Sequence, residues 1–151
     1  MLGRKVIKTV AFPAGSKPHM LRVSPDCKEV WVQTANANTN VVLDAADLTV
    51  LSTQPTGTYP VTNAWTPDRR YSIVTHGQDV FAQIVDARTF KEVKRVVIGQ
   101  GGSNIGFSKD GKTAFIALTG ADAIAVIDVN RLAFIGQIKT GRQPQGLIVR
   151  S

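Results

Sequence analysis

The sequence predicts an all-β protein built from copies of one four-stranded unit. Two observations carry this reading. A nine-residue phrase is written three times, and short runs rich in β-branched and aromatic residues recur at fixed places between the copies. The phrase is SPDCKEVWV from Ser24, TPDRRYSIV from Thr66 and SKDGKTAFI from Ser108, a step of 42 residues each time. The same step carries Gly15 to Gly57, Gly99 and Gly141, and Asp44 to Asp86 and Asp128. Pro18, Pro60 and Pro144 keep the register, with Gly102 standing in the third copy. No insertion breaks the period, which is the signature of a repeat architecture.

Each unit divides into four runs. PHMLRV, PVTNAW, SNIGF and PQGLIV form one set; KEVWVQT, RYSIVTH and KTAFIAL the next. NVVLD, AQIVD and IAVID follow, each closed by its Asp, and then TVLSTQ, KEVKRVVI and AFIGQIK. All are short, suited to a pleated surface and bounded by turn residues, and no segment shows sustained helical spacing. Four strands in one such period match the blade of a β-propeller. The units run approximately over 15–56, 57–98 and 99–140, with a partial unit at 141–151. An outermost strand is expected near Val6 to Phe12 and an innermost one near Pro144 to Val149. The prediction is therefore three full blades of four antiparallel strands plus two orphan strands.

The turns have local chemical reasons. In Ser-Pro-Asp-x-Lys, proline presets φ at the turn entry and the Asp carboxylate reaches backbone donors two residues on. Gly111 suits the next position if that position needs positive φ, whereas Cys27 and Arg69 occupy its equivalents and suit it poorly. Those two turns are expected to be looser or strained. Asp44, Asp86 and Asp128 end their strands and are read as side-chain caps of the following turns. A carboxylate repeated once per unit is structural in this reading.

Composition bounds the rest. Apolar content of 43% and charged content of 19% are those of a globular chain, and 151 residues suffice for one core. No apolar run approaches the roughly 18 residues of a bilayer span, and MLGRKVIKTV lacks the apolar stretch of a signal peptide. Cys27 is the only cysteine, so no internal disulfide and no cysteine-built zinc site is available. At the tip of a turn it should be exposed. The net charge of +7 is scattered, with no basic run of five or more, as on a solvated surface.

The stretch VWVQTANANTNVVLDAADLTVLSTQPTGTYPV, Val30 to Val61, resembles the YVTN family of β-propeller repeats. Units of that family read approximately V-Y-V-T-N, then N-T-V-S-V-I-D, then G-x-x-P, with an SPDG-type turn. The resemblance runs from about Val6 to Val149. Gln33-Thr34 replaces the usual Thr-Asn, HGQDV stands where a Gly/Ser/Asn loop is usual, and the Trp-Asp ending of WD40 units is missing. The resemblance implies a periplasmic or cell-surface protein and a ring that commonly has seven blades. Seven units of this length need roughly 300 residues, about twice this chain. The ring is therefore expected to be completed by identical chains or by the remainder of a longer protein, because an open arc exposes apolar faces and strand edges.

Strand order puts alternate loops on opposite faces. The loops entering the innermost strands share one face with the loops around 36–38, 77–79 and 120–122, and ligands of propellers sit at the mouth of the channel that the innermost strands line. Lys17, His19, Tyr59, Asn63, Ser103, Asn104, Arg142 and Gln145 are the expected mouth or channel residues. His19 and His76, the only histidines, both fall on that face, but they lie in different units with no carboxylate at metal-ligand spacing. No metal, cofactor or catalytic group is assigned. No Ser-His-Asp arrangement follows from the spacings, and GQGGS at Gly99 to Ser103 reads as a turn, not a phosphate loop. Trp31 and Trp65, with Phe115 and Phe107 at equivalent places, are read as packing between blades.

The leading expectation is a non-catalytic binding or interaction scaffold. The alternative is a subunit of a haem- or quinone-linked oxidoreductase, a class that related propellers support, although no Cys-x-x-Cys-His attachment motif is present. A second alternative is nucleic-acid binding through the basic charge, which predicts affinity falling log-linearly with salt.

Overall fold

The computed structural model describes residues 5–150. It contains twelve strands in three four-stranded antiparallel sheets. The first sheet holds β1 (Pro18–Val23), β2 (Glu29–Thr34), β3 (Thr39–Asp44) and β4 (Val50–Pro55). The second holds β5 (Pro60–Trp65), β6 (Tyr71–His76), β7 (Phe81–Asp86) and β8 (Glu92–Val97). The third holds β9 (Gly102–Phe107), β10 (Thr113–Leu118), β11 (Ala123–Asp128) and β12 (Ala133–Lys139). Within each sheet the strands lie in sequence order, so every connection is a short hairpin, as the 42-residue unit requires. No helix is long and apolar enough to cross a membrane among the described residues.

Pleating explains how the sheets stack. Neighbouring side chains on a strand point to opposite faces, so a central sheet needs apolar residues at consecutive positions. The second sheet supplies them: Val74 and Val85 pack with Trp31 and Val42 of the first sheet, while Ile73 and Ile84 pack with Ala114, Ile116 and Ile127 of the third. A slip of one residue would exchange these faces, so both stacks pin the register. Each fully buried Ile or Val contributes roughly 1.5–3 kcal/mol relative to exposure. Trp31 fills the first stack, edge-on to Trp65 at 5.5 Å and Phe90 at 5.9 Å between ring centroids. Its indole Nε1 donates to Glu29 Oε2 at 2.8 Å, which pairs the one polar atom the ring would otherwise bury.

The innermost strands sit side by side, β1 against β5 and β5 against β9. β5, flanked on both sides, is largely buried; β1, flanked on one, is exposed at every residue. The two expected orphan strands are a correction. Val6–Phe12 and Pro144–Val149 take positions beside the sheets but form no ladder. Val10 and Phe12 pack on Val32, Val41 and Leu43 of the first sheet. A Cβ on Gly106 would meet Leu147 Cδ1 at 2.5 Å, so glycine there lets the 144–149 segment lie against β9. A strand is defined by hydrogen bonds to a neighbour, and among the described residues neither segment makes such a ladder.

The repeated turns follow their chemistry. Asp26, Asp68 and Asp110 each accept from the backbone N–H two residues on, at 3.1–3.2 Å. Ser24, Thr66 and Ser108 each donate a hydroxyl to that same carboxylate at 2.6–2.7 Å. Cys27 and Arg69 have φ of 60° and Gly111 of 70°. All three turns close with the same N–H to carbonyl bond at 2.8–2.9 Å. The misfit of Cys27 and Arg69 therefore appears as backbone strain, not as a looser turn. Cys27 is exposed. Asp44, Asp86 and Asp128 cap their turns by accepting from Ala46, Arg88 and Arg131 N–H.

Candidate functional site

The linkers into the innermost strands and the hairpins at 36–38, 77–79 and 120–122 do share one face, and hydrogen bonds tie them together. Tyr59 N–H donates to Asn38 Oδ1 at 2.9 Å, and Gln143 N–H donates to Asp122 Oδ1 at 2.9 Å. Thr58 N–H bonds Asp79 in the same way. Lys17, Tyr59 and Gln143, at one repeat position, have positive φ of 54°, 57° and 49°, and Gly101 has 77°. That kink turns each linker from the hairpin tip into the channel wall.

Because equivalent residues of successive sheets stand next to each other, the wall is bonded at the repeat interval. Lys17 Nζ donates to Tyr59 OH at 2.9 Å, His19 Nδ1 lies 3.3 Å from Val61 O, and Ser103 Oγ donates to Gln145 O at 3.0 Å. Each of these pairs is 42 residues apart. The Lys17 ammonium also lies 4.9 Å from the Tyr59 ring centroid, and the His19 ring meets Tyr59 edge-on at 5.6 Å. Lys17, His19 and Tyr59 thus form one cluster at the rim. Beside it lies a depression of about 270 Å³ bordered by Asn36, Asn38, Thr58, Tyr59 and Gln78. The cluster offers a cation, an imidazole, an aromatic face and amide groups, which suits recognition of a small polar molecule.

The other expected residues fall elsewhere. Asn63 is fully buried. Its Oδ1 accepts from Gln33 Nε2 at 3.1 Å, and its Nδ2 donates to Ser72 Oγ at 2.9 Å. It belongs to a polar layer between the first two sheets that also holds Asn40, whose Oδ1 accepts from Gln33 Nε2 at 3.0 Å. Asn104 turns back on its own strand, accepting from Ile105 N–H at 2.7 Å. Arg142 is exposed and away from the Lys17 cluster's bonds. His76 lies at the same end of the sheets but is buried, with both ring nitrogens engaged by the backbone of Gly57 and Phe81. Burial pushes its pKa below the ordinary histidine value. Among the described residues no group of three or more His, Cys, Asp or Glu is placed to hold a metal ion.

Comparison with solved structures decides the architecture. Hydrazine synthase of Kuenenia stuttgartiensis matches 94% of this chain at 26% identity and a TM-score of 0.82. A 6-phosphogluconolactonase-like protein of Bacteroides uniformis matches 88% at 17% identity and 0.78. The WD40 repeats of RRP9 match 85% at 11% identity and 0.75.

The three sheets are propeller blades.

The dihydro-heme d1 dehydrogenase NirN, in complex with DHE, also matches 85% of the chain, at 18% identity and a TM-score of 0.69. This chain spans 41% of the hydrazine synthase chain, 44% of the lactonase-like one, 40% of RRP9's and 30% of NirN's. No protein-family model matches the chain, and no curated protein does. The propeller wall therefore accounts for the interval of the bonds described above: a residue and its equivalent one blade on are neighbours around the channel.

Proposed function

We propose that the chain is the binding portion of a YVTN-type propeller, a non-catalytic scaffold that holds a small polar ligand at the channel mouth. The observation that carries this reading is the Lys17–Tyr59–His19 cluster beside the polar depression of about 270 Å³. Three different recognition chemistries converge there from two blades, on backbone held by hydrogen bonds. The expected mouth set contracts accordingly to Lys17, His19 and Tyr59, with Ser103 and Gln145 further round the wall. The exposed β1 and the unpaired terminal segments support a partner that continues the ring, whether identical chains or the rest of a longer protein. The resemblance supports export to the periplasm or cell surface.

A fragment screen read by ¹H–¹⁵N correlation spectroscopy tests the reading, since it reports where a binder lands. Hits should shift Lys17, His19, Tyr59 and Asn38 and should be lost in Tyr59→Ala. Hits that collect at any other place would sink the proposal.

The resemblance to propellers that support haem- or quinone-linked oxidoreductases raises a second reading, a subunit of such an enzyme. The residues do not fit a haem well. His76 has both ring nitrogens engaged, and the depression beside His19 is lined by amides and hydroxyls, not by the apolar slot a macrocycle needs. Addition of haemin, with an absorption spectrum recorded for the protein and for His19→Ala, separates the two. A ligation band that depends on His19 would reverse the ranking.

A further inference from the structure

The face opposite the mouth carries the repeated turns, and the second blade departs from its neighbours there. Its first turn reads Asp68-Arg69-Arg70, where the other blades have Asp26-Cys27-Lys28 and Asp110-Gly111-Lys112. Its second turn places Arg88 where they have Ala46 and Asn130. Three positions are thus arginine in this one blade, and the fold brings all three to the border of one depression of about 430 Å³, with Tyr71, Asp86 and Thr89. Nothing in the blade's geometry asks for this. The turn closes identically with cysteine or glycine, and Arg69 is held at φ 60°, where an L-residue is disfavoured.

Two of the guanidinium groups, those of Arg69 and Arg88, have no hydrogen-bond or ion-pair partner among the described residues, and that of Arg70 is engaged only by Tyr71. Arg69, Arg70 and Arg88 are exposed, and the ion pairs found among the described residues involve none of them. The one carboxylate in the depression, Asp86, is occupied locally, accepting from Arg88 N–H at 3.0 Å, Thr89 N–H at 2.8 Å and Thr89 Oγ at 3.0 Å. Asp26 and Glu29 border the adjoining hollow, and their oxygens serve Ser24, Lys28 N–H and Trp31. Arg70 is steadied over the Tyr71 ring at 5.2 Å and donates to its hydroxyl at 3.3 Å, leaving the phenol proton free to be given.

We propose that the 69–70 and 86–89 turns of the second blade form a binding site for a small phosphate-type oxyanion. Planar guanidinium forks match phosphate oxygens in pairs, and three arginines border this one hollow. Tyr71 OH adds a neutral donor. The site lies on the opposite face from the mouth cluster and does not depend on it.

Calorimetric and ¹H–¹⁵N titration with pyrophosphate at low salt tests this, with chloride as the control anion. Saturable binding is expected, with shifts confined to residues 69–71 and 86–89. Arg69→Gly and Arg88→Asn install the residues of the other blades and should each weaken binding tenfold or more. Arg69→Gly also relieves a strained φ, so its loss of binding cannot be ascribed to unfolding. Lys94→Gln removes the same charge from an exposed outer strand and should leave affinity unchanged. The proposal fails if binding is not saturable or if Lys94→Gln weakens it as much as Arg69→Gly does. It fails equally if the protein binds only phosphatidylglycerol vesicles and not pyrophosphate.

Discussion

Gly57 N–H donates to Nε2 of His76 at 3.1 Å, and Nδ1 of the same ring lies 3.2 Å from Phe81 O. The ring therefore bridges the linker into the second blade and the start of β7, as the neutral tautomer with its proton on Nδ1. A second proton would break the bond from Gly57 and place a charge in the core. A Cβ at Gly57 would fall 2.7 Å from Phe81 Cζ, so the close approach also depends on glycine.

This pair makes stability depend on pH in a definite direction. His76 is buried, which lowers its pKa in the folded state from the ordinary 6.5. Below about pH 6.5 the unfolded chain takes up a proton that the folded chain refuses, so stability falls as pH falls until the lowered folded value is reached. The depressed carboxylates act lower: Asp86, held down mainly by Thr89 N–H, and Glu92, held down mainly by Arg95, lose their contribution only as pH falls through the acid carboxylate range. Urea midpoints should drop between pH 7.5 and 5.5 in the native chain and change less in His76→Gln. Equal slopes for the two proteins would contradict the assignment.

The strained turns yield a test by substitution. Cys27→Gly and Arg69→Gly should each stabilise the fold by about 1 kcal/mol, because each removes a left-handed L-residue. Gly111→Ala should do the reverse and cost about 1–2 kcal/mol. Besides the positive φ, its Cβ would lie 2.9 Å from Pro67 Cγ in the neighbouring blade's turn. Thermal midpoints of the three variants are the measurement, and any one moving in the opposite direction refutes the strain account at that turn.

Trp31 should be the costliest single truncation in the first blade stack. It is fully buried and touches Trp65 and Phe90 of the second blade. Trp31→Ala should lose about 3–5 kcal/mol by opening a cavity. Trp31→Phe should lose less, by keeping part of the volume while leaving Glu29 without its indole donor. Denaturant unfolding with near-ultraviolet circular dichroism measures both the loss and the disappearance of the signal from the edge-on indole pair.

The exposed flanks should show in the mass of the particle. Met20, Leu21 and Val23 of β1, and Phe134, Ile135 and Ile138 of β12, are exposed large hydrophobic residues at the two ends of the arc. Light scattering across a concentration series should show association. A discrete oligomer would mean that chains close a ring together, and a 16.2 kDa species at every concentration would contradict the expectation that the arc needs a partner.

The blade is legible from local chemistry. Turn chemistry acts within five residues, so Ser24 to Glu29 and their repeats specify the same hydrogen bonds wherever the rest of the chain goes. Strand pattern and period then follow, and Trp31 is legible as core because its strand is apolar. Tertiary structure alone decided how equivalent residues face one another across a blade boundary. Asn63 and Tyr59 look alike in the repeat as polar residues of one linker and strand, yet one is buried against Gln33 and the other stands at the rim. His19 and His76 divide in the same way. The Arg69, Arg70 and Arg88 hollow joins two turns of one blade that the sequence separates by a whole pair of strands. Such placements depend on which groups stacking deprives of water. That is a property of neighbours about 42 residues distant, which no local pattern records.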